Sequence, residues 1–346
     1  MSSPGFAHRM GRDCATSAFR DLLEFYGLPL SEAMVFGLGE GLYFWYAEIQ
    51  DSPQPVMLGQ NVFLEHTLCD RLKIHLTIHE PRTRPEAEEA ITRVRRGIPT
   101  LVKADPYYLE YCWRDVPDEQ RSHFGEHVVL LTSLEGDLCQ VADIWSEQLE
   151  QVPLEQIQRA RSTQEGYGFL LPRDRWYELM MPPRWEPVER LIPEALAAAA
   201  RQMLDMQGAF GISGLRYAAT QLPRWLQLGA QRHGEAFARW VEIILLRLEN
   251  GGLGGCFRPI FFDFLRESAT RLDDPALASL TDEFMGPTLE AWERIVNGLT
   301  GWAKPPGSSL EGLTREADEL GETLSRTARL EEDMCRRLMQ MYPRPS

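Results

Sequence analysis

At 346 residues, with 44% apolar and 25% charged residues, the chain is long enough for two ordinary domains and has the composition of a soluble globular protein. Its formal net charge of −15 argues against general nucleic-acid binding, which depends on neutralising phosphates, and is compatible with a cationic substrate such as a polyamine or aminosugar. The N-terminus MSSPGFAHRMGRD has no apolar run of signal-peptide length, and no apolar stretch is long enough to cross a bilayer, so the expected location is the cytoplasm, away from membranes.

The first helix starts at Cys14, where Ala18, Leu22, Leu23, Phe25 and Tyr26 recur at helical spacing, and Gly27 with Pro29 ends it. A short helix from Ser31 runs into the glycine-rich turn Gly37 to Gly41, followed by an aromatic strand, Leu42 to Tyr46. A helix is expected from Gln60 to Leu72, a strand from Lys73 to His79 and an amphipathic helix from Glu86 to Arg96, stopped by Gly97 and Pro99. Three strands then follow, opening at Thr100, His127 and Leu138, and Glu135-Gly136-Asp137 supplies the turn of a hairpin between the last two. Pro172, Pro182, Pro183 and Pro187 mark a linker, beyond which helices are expected at 191–206, 214–228, 234–248, 257–272, 275–300 and 310–341. The fold class is therefore α+β, with a first domain over residues 1–180 and an all-α domain over 188–346. No repeat of fixed period suggests a solenoid.

The six cysteines (14, 69, 112, 139, 256 and 335) are scattered, with neither a CxxC pair nor zinc spacing, so most read as small buried hydrophobes. Cys14 differs because it stands where a helix begins. A thiolate there is stabilised by the helix dipole and free backbone N–H groups, which also suit a developing oxyanion. His127 opens one strand of the hairpin and Asp143 closes the other, so pairing would bring imidazole and carboxylate together at the rim. The order cysteine, histidine, aspartate, with the thiol on the first helix, is the logic of a papain-like nucleophile.

Other residues carry weaker signals. His123 and His127 lie four apart, but in loop and strand rather than on a helix, so no metal is expected and His123 reads as a substrate contact or a structural loop residue. Asp105, Tyr107, Tyr108 and Tyr111 follow a strand end and read as a substrate wall or as a packed aromatic turn, the acid favouring a cationic amine. The turn Gly37 to Gly41 lacks the Lys-Ser/Thr of a phosphate loop and reads as a tight turn feeding the site; no nucleotide or other cofactor is expected. Trp225, Trp240 and Trp292 in the helical half read as core or subunit interface, leaving open a homodimer, a cover for the cleft or a partner-binding surface.

Four segments in order, 14–23, 27–39, 104–111 and 123–129, resemble the N-terminal domain of butirosin biosynthesis protein H, which is related to papain-like leader peptidases. The segments 211–216 and 257–268 resemble the helical domain that usually accompanies it. The resemblance implies a papain-like cysteine-peptidase fold and acyl transfer from an acyl carrier protein thioester, through acyl-Cys14, to the amine of a small acceptor. His127 would act as the base and Asp143 as its orienter. A carrier protein is normally acidic, so docking would call on a local basic cluster such as Arg82, Arg84, Arg93, Arg95 and Arg96. The chain departs from its relatives at Asp13, where many carry histidine. It departs again at His8, where peptidase cousins place the glutamine of the oxyanion hole; His8 either donates there instead or belongs to the tail. Two alternatives remain beside the acyltransferase: a hydrolase using the same triad, and a non-catalytic binding protein in which Cys14 is buried and inert.

Overall fold

The computed structural model describes residues 6–48, 55–114, 121–166, 168–232, 255–303 and 310–343. In chain order the first elements are α1 (Cys14–Phe25), α2 (Glu32–Leu38), β1 (Leu42–Glu48), β2 (Pro55–Gln60), α3 (Leu64–Arg71), β3 (His75–His79), α4 (Arg84–Arg95), β4 (Thr100–Ala104), β5 (His127–Glu135) and β6 (Leu138–Ala142). There follow β7 (Glu150–Pro153), α5 (Leu154–Ser162), β8 (Trp176–Met180), α6 (Val188–Asp205), α7 (Gly211–Arg232), α8 (Arg258–Leu272), α9 (Pro275–Ala303) and α10 (Leu310–Met341). The helix expected at 234–248, and Trp240 with it, lies outside the described residues.

Two compact units share the chain: Met1–Val35 with Leu72–Trp185, and Phe36–Arg71 with Glu186–Ser346. The chain therefore leaves the first unit and returns to it. A division at one point near 180–188 misses this excursion.

The first unit is built on a six-stranded antiparallel sheet of order β3-β8-β4-β5-β6-β7. Its central strand β5, His127–Glu135, carries Val128 to Leu131 fully buried on both faces, so it reads as a continuous apolar run rather than an alternation. On one face Val129 and Leu131 join Ile91 and Val94 of α4, and Ile157 and Ala160 of α5, in a single apolar cluster. Helix α1 packs on β5 as well, and its Phe19 meets Tyr177 of β8 edge-on at 6.3 Å. The hairpin turn falls at Gly136, whose φ of 61° is the left-handed conformation a tight turn needs. Strands β7 and β8 and helix α5 are short and were not foreseen.

The second unit holds α6 to α10 together with the β1–β2 hairpin and α3. Strand β2 occupies residues expected to precede or start a helix, and α3 begins only at Leu64, after Asn61 caps the Phe63 N–H at 3.0 Å. Arg258, at the start of α8, shows why this hairpin sits with the helices. Its guanidinium is fully buried, pairs with Glu331 of α10 at 2.7 and 2.8 Å, and donates to the carbonyls of Tyr43, Gly59 and Cys256. Trp292 of α9 donates its indole N–H to the same Glu331 carboxylate at 2.8 Å. Both charges are thus compensated and hydrogen-bonded, the condition under which burial is tolerated. Gly59 is required here, because a Cβ would stand 2.3 Å from the Cys256 sulfur.

The glycine-rich turn is a helix ending. Gly41 N–H donates to Phe36 O at 2.9 Å and Glu40 N–H to Gly37 O at 3.0 Å, a Schellman motif that terminates α2 and launches β1. The left-handed position is taken by Glu40, with φ 53°, rather than by a glycine, and its carboxylate pairs with Arg71. The turn belongs to the second unit from Phe36 onward, so the expectation that it feeds the site is replaced by this local role.

Candidate active site

Helix α1 begins at Cys14 because Asp13 caps it: the Asp13 carboxylate accepts from the Thr16 N–H and the Thr16 hydroxyl, both at 2.9 Å. Gly27, with φ 83°, closes the other end. The segment entering the helix is held from outside by Glu32 of α2. That carboxylate accepts from the N–H groups of Arg12 and Asp13, each at 2.9 Å, and shares with Asp13 the single proton of the Thr16 hydroxyl, 3.0 Å away. Burial raises the Glu32 pKa above the usual carboxylate value, against the pull of its N–H donors. Cys14 itself is half-buried and carries a free thiol.

His127 starts β5, and the chain leaving β6 ends at Asp143, so the antiparallel hairpin sets the two side by side. Nε2 of His127 stands 2.8 Å from Asp143 Oδ2 and 2.9 Å from Oδ1, with both residues 4% exposed. Cys14 lies near enough to the same imidazole to favour its charged form. With Nε2 engaged by the carboxylate, Nδ1 is the ring nitrogen left to serve the thiol. Burial alone would lower the His127 pKa; the Asp143 charge and hydrogen bond, joined by Cys14, outweigh it and raise it to about 10. At neutral pH the ring is therefore an imidazolium.

The loop before His127 is fixed by packing. A Cβ on Gly125 would lie 2.4 Å from the Leu171-preceding carbonyl of Leu170 and 2.3 Å from Pro172, so only glycine lets the loop pass. Glu126 pairs with Lys103 of β4 at 3.3 Å and with Arg175.

The structure redistributes the residues expected to form a substrate wall. Asp105 is fully buried and spends its oxygens on Tyr107 N–H at 3.0 Å, Phe124 N–H at 3.1 Å and His123 Nδ1 at 2.8 Å. It ties two loops together and does not face a cationic substrate. Tyr111 is also buried and donates its hydroxyl to Asp143 Oδ2 at 2.7 Å, so it holds the carboxylate that engages His127 rather than lining a wall. Neighbouring Cys112 lies in the Asp143 field, and burial followed by that charge pushes its thiol far above the ordinary range, so it stays protonated. Tyr107 stacks on His123 at 4.1 Å, and both remain partly exposed; Tyr108 is turned in towards Thr163 at 3.3 Å.

His8 does not fill an oxyanion role here. Its two ring nitrogens are taken by Asp21 Oδ2 at 2.6 Å and by the Ser146 carbonyl at 2.9 Å. The five arginines of the 82–96 segment do not act alike. Arg93 turns inward to Glu178 at 3.0 Å and over Trp176, while Arg84 and Arg96 lie within 3.9 and 4.0 Å of Glu88 and Glu89. Two cavities, of about 490 and 300 Å³, open beside Glu80 and Pro81, and neither is lined by Cys14, His127 or Asp143. Among the described residues no helix is long and apolar enough to cross a membrane, and no three His, Cys, Asp or Glu side chains gather as a metal site.

Sequence reasoning missed Glu32, Asp21 and the supporting role of Tyr111. A carboxylate on the second helix has no sequence signal for contact with the first; the one usable hint was an acid beginning a helix.

No curated protein sequence matches the chain at a significant level. Residues 13–144, which contain Cys14, His127 and Asp143, match the family described as butirosin biosynthesis protein H, N-terminal, and residues 155–338 match a domain of unknown function (DUF4872). The second match spans more than half of the chain, which therefore belongs to the family defined by that domain of unknown function.

Proposed function

We propose that this protein is a cysteine-dependent acyltransferase that forms amides, with a papain-like arrangement of Cys14, His127 and Asp143. The observation that carries the proposal is the buried His127 ring, held through Nε2 by Asp143 and close to a thiol at a helix N-terminus, within a stretch that matches the butirosin biosynthesis protein H N-terminal family. A helix bearing the thiol, packed on an antiparallel sheet that presents the histidine and the carboxylate from neighbouring strands, supports the papain-like reading.

The chemistry follows from these positions. The Cys14 sulfur attacks the carbonyl carbon of an acyl thioester. Asp13 takes the Thr16 N–H, which leaves the first-turn N–H groups of Cys14 and Ala15 to the developing oxyanion. As the tetrahedral intermediate collapses, the carbon–sulfur bond to the donor breaks and His127 gives its proton to the departing thiolate. The acyl group is now a thioester on Cys14. An amine attacks it, the neutral His127 accepts the amine proton, the bond between the carbonyl carbon and the Cys14 sulfur breaks, and the amide leaves with the sulfur and the protonated ring returned to their starting state. Asp143 stabilises the imidazolium at both stages. An acyl carrier protein as donor and a small amine as acceptor come from the family resemblance. Tyr107 and His123, stacked and partly exposed, are the candidate acceptor contacts.

Intact-protein mass spectrometry after incubation with a panel of acyl thioesters tests the proposal, with Cys14→Ala as the control. A mass gain in the wild type alone, discharged by added amines, is expected. Discharge by water at the same rate with or without amine would assign a hydrolase instead, and no adduct from a broad panel would remove the catalytic reading.

A further inference from the structure

We propose that His8 is a positioning residue for this site: its doubly protonated imidazolium braces the helix that carries Cys14 against the loop that follows Asp143. The proposal rests on the reading of Cys14 as the nucleophile, but it can fail independently.

The argument starts from the two partners of the ring, both of which are acceptors. Nδ1 lies 2.6 Å from a carboxylate oxygen of Asp21, and Nε2 lies 2.9 Å from the backbone carbonyl of Ser146. A carbonyl has no proton to give, and the Asp21 carboxylate already receives the Arg20 Nε–H at 2.8 Å. Both ring nitrogens must therefore donate. A neutral imidazole has one N–H and would leave one of these short contacts without its proton. The His8 side chain is 4% exposed and that of Asp21 is 1% exposed, so water does not substitute readily.

The ends of the brace lie at the two parts of the triad. Asp21 is two turns along α1 from Cys14. Ser146 closes the turn begun at Asp143, its N–H reaching the Asp143 carbonyl at 3.4 Å. The same network extends towards the thiol. Arg20 holds the carbonyls of Arg9 and Met10 and approaches Glu32 at 3.9 Å, and Glu32 holds the N–H groups of Arg12 and Asp13 immediately before Cys14. The charged groups facing His8 are Asp21, which favours the cation, and Arg20, which opposes it; the Ser146 carbonyl favours it too. Burial works against the cation, but these hydrogen bonds prevail and its pKa stands above the ordinary value of 6.5.

Two measurements test the brace. The first is the protonation state of His8 in the wild type, read from ¹⁵N ring shifts at pH 7, where an unperturbed histidine of pKa about 6.5 is mostly neutral. Protons on both nitrogens are expected, and a neutral tautomer overturns the proposal whatever any variant does. The second is the rate of Cys14 alkylation by iodoacetamide, read by peptide mass spectrometry in the wild type and in His8→Gln across pH 6 to 10. The thiolate fraction of Cys14 is measured separately in each chain at each pH and divided out of its rate, so that the ratio compares the reactivity of the thiolate alone. The ratio should be about tenfold at pH 6, because a misplaced reacting group costs at least that much, and should fall as His8 loses its proton. A ratio constant with pH would show that shape alone matters and overturn the brace. Alkylation needs no acyl donor, so a His8-dependent thiol that accepts no thioester would refute the acyltransferase and leave the brace standing.

Discussion

The phenol of Tyr111 donates to Asp143 at 2.7 Å, on the carboxylate that also holds His127 at 2.8 Å. One buried acid therefore gathers a tyrosine, an imidazole and the Ile144 N–H, the last at 2.6 Å. Removing only the hydroxyl, in Tyr111→Phe, keeps the ring in the apolar cluster and withdraws one donor from a buried charge. The expected cost is about 1–2 kcal/mol of stability by chemical denaturation. Acyl-Cys14 formation should slow by about tenfold through loss of ring alignment. An unchanged acylation rate would show that the other donors suffice.

The His127–Asp143 pair should give stability a definite pH dependence. His127 is raised in the fold to about 10 from 6.5, so its stabilising contribution is complete below pH 6.5 and is lost as pH rises through about 10. Asp143→Asn removes the counter-charge. Thermal melts of wild type and variant should differ most near pH 6, and the gap should narrow steadily towards pH 10. A gap that widens with pH would contradict the ion pair.

Glu32 serves geometry at the expense of stability. Burial raises its pKa, so the ionised carboxylate is an unfavourable burden at neutral pH that disappears only as it protonates on acidification. Glu32→Gln lifts that burden while giving up acceptor capacity for Arg12, Asp13 and Thr16. The melting temperature should move little, and Cys14 alkylation should slow by about tenfold. Equal losses in both would mean that Glu32 is a fold residue only.

The buried Arg258–Glu331 pair makes the opposite demand. Glu331→Ala strands a fully buried guanidinium and the Trp292 N–H, at a cost of about 3–5 kcal/mol in denaturant unfolding. Adding Arg258→Met should recover part of the loss, although the carbonyls of Tyr43 and Gly59 then lack their donor. A double variant no better than the single one would place the energy in those carbonyl contacts rather than in the charge pair.

The placement of Cys14, His127 and Asp143 in the candidate site was legible because its determinants are local. Asp13 and Gly27 bound α1 by capping chemistry, and Glu135-Gly136-Asp137 sets a hairpin that carries His127 and Asp143 to one rim. What escaped the sequence depends on partners far along the chain. His8 lies at the spacing where cousins keep an oxyanion donor, yet a carboxylate at Asp21 and a carbonyl at Ser146 capture both nitrogens. Asp105 and Tyr111 sit in a loop whose composition suits a pocket wall, and burial turns both inward. Strand β2 hid behind a proline and a glycine, residues that ordinarily weaken a strand, because Gly59 is there to admit Cys256.

The excursion of residues 36–71 into the second unit has a consequence for synthesis. The hairpin emerges from the ribosome early, with Tyr43, Phe44 and Tyr46 destined for burial, while Arg258, Trp292 and Glu331 have yet to be made. The nascent chain must therefore carry an uncovered aromatic ribbon until Glu331 has been made. A gene cut after the first unit would leave that ribbon permanently bare and prone to aggregate.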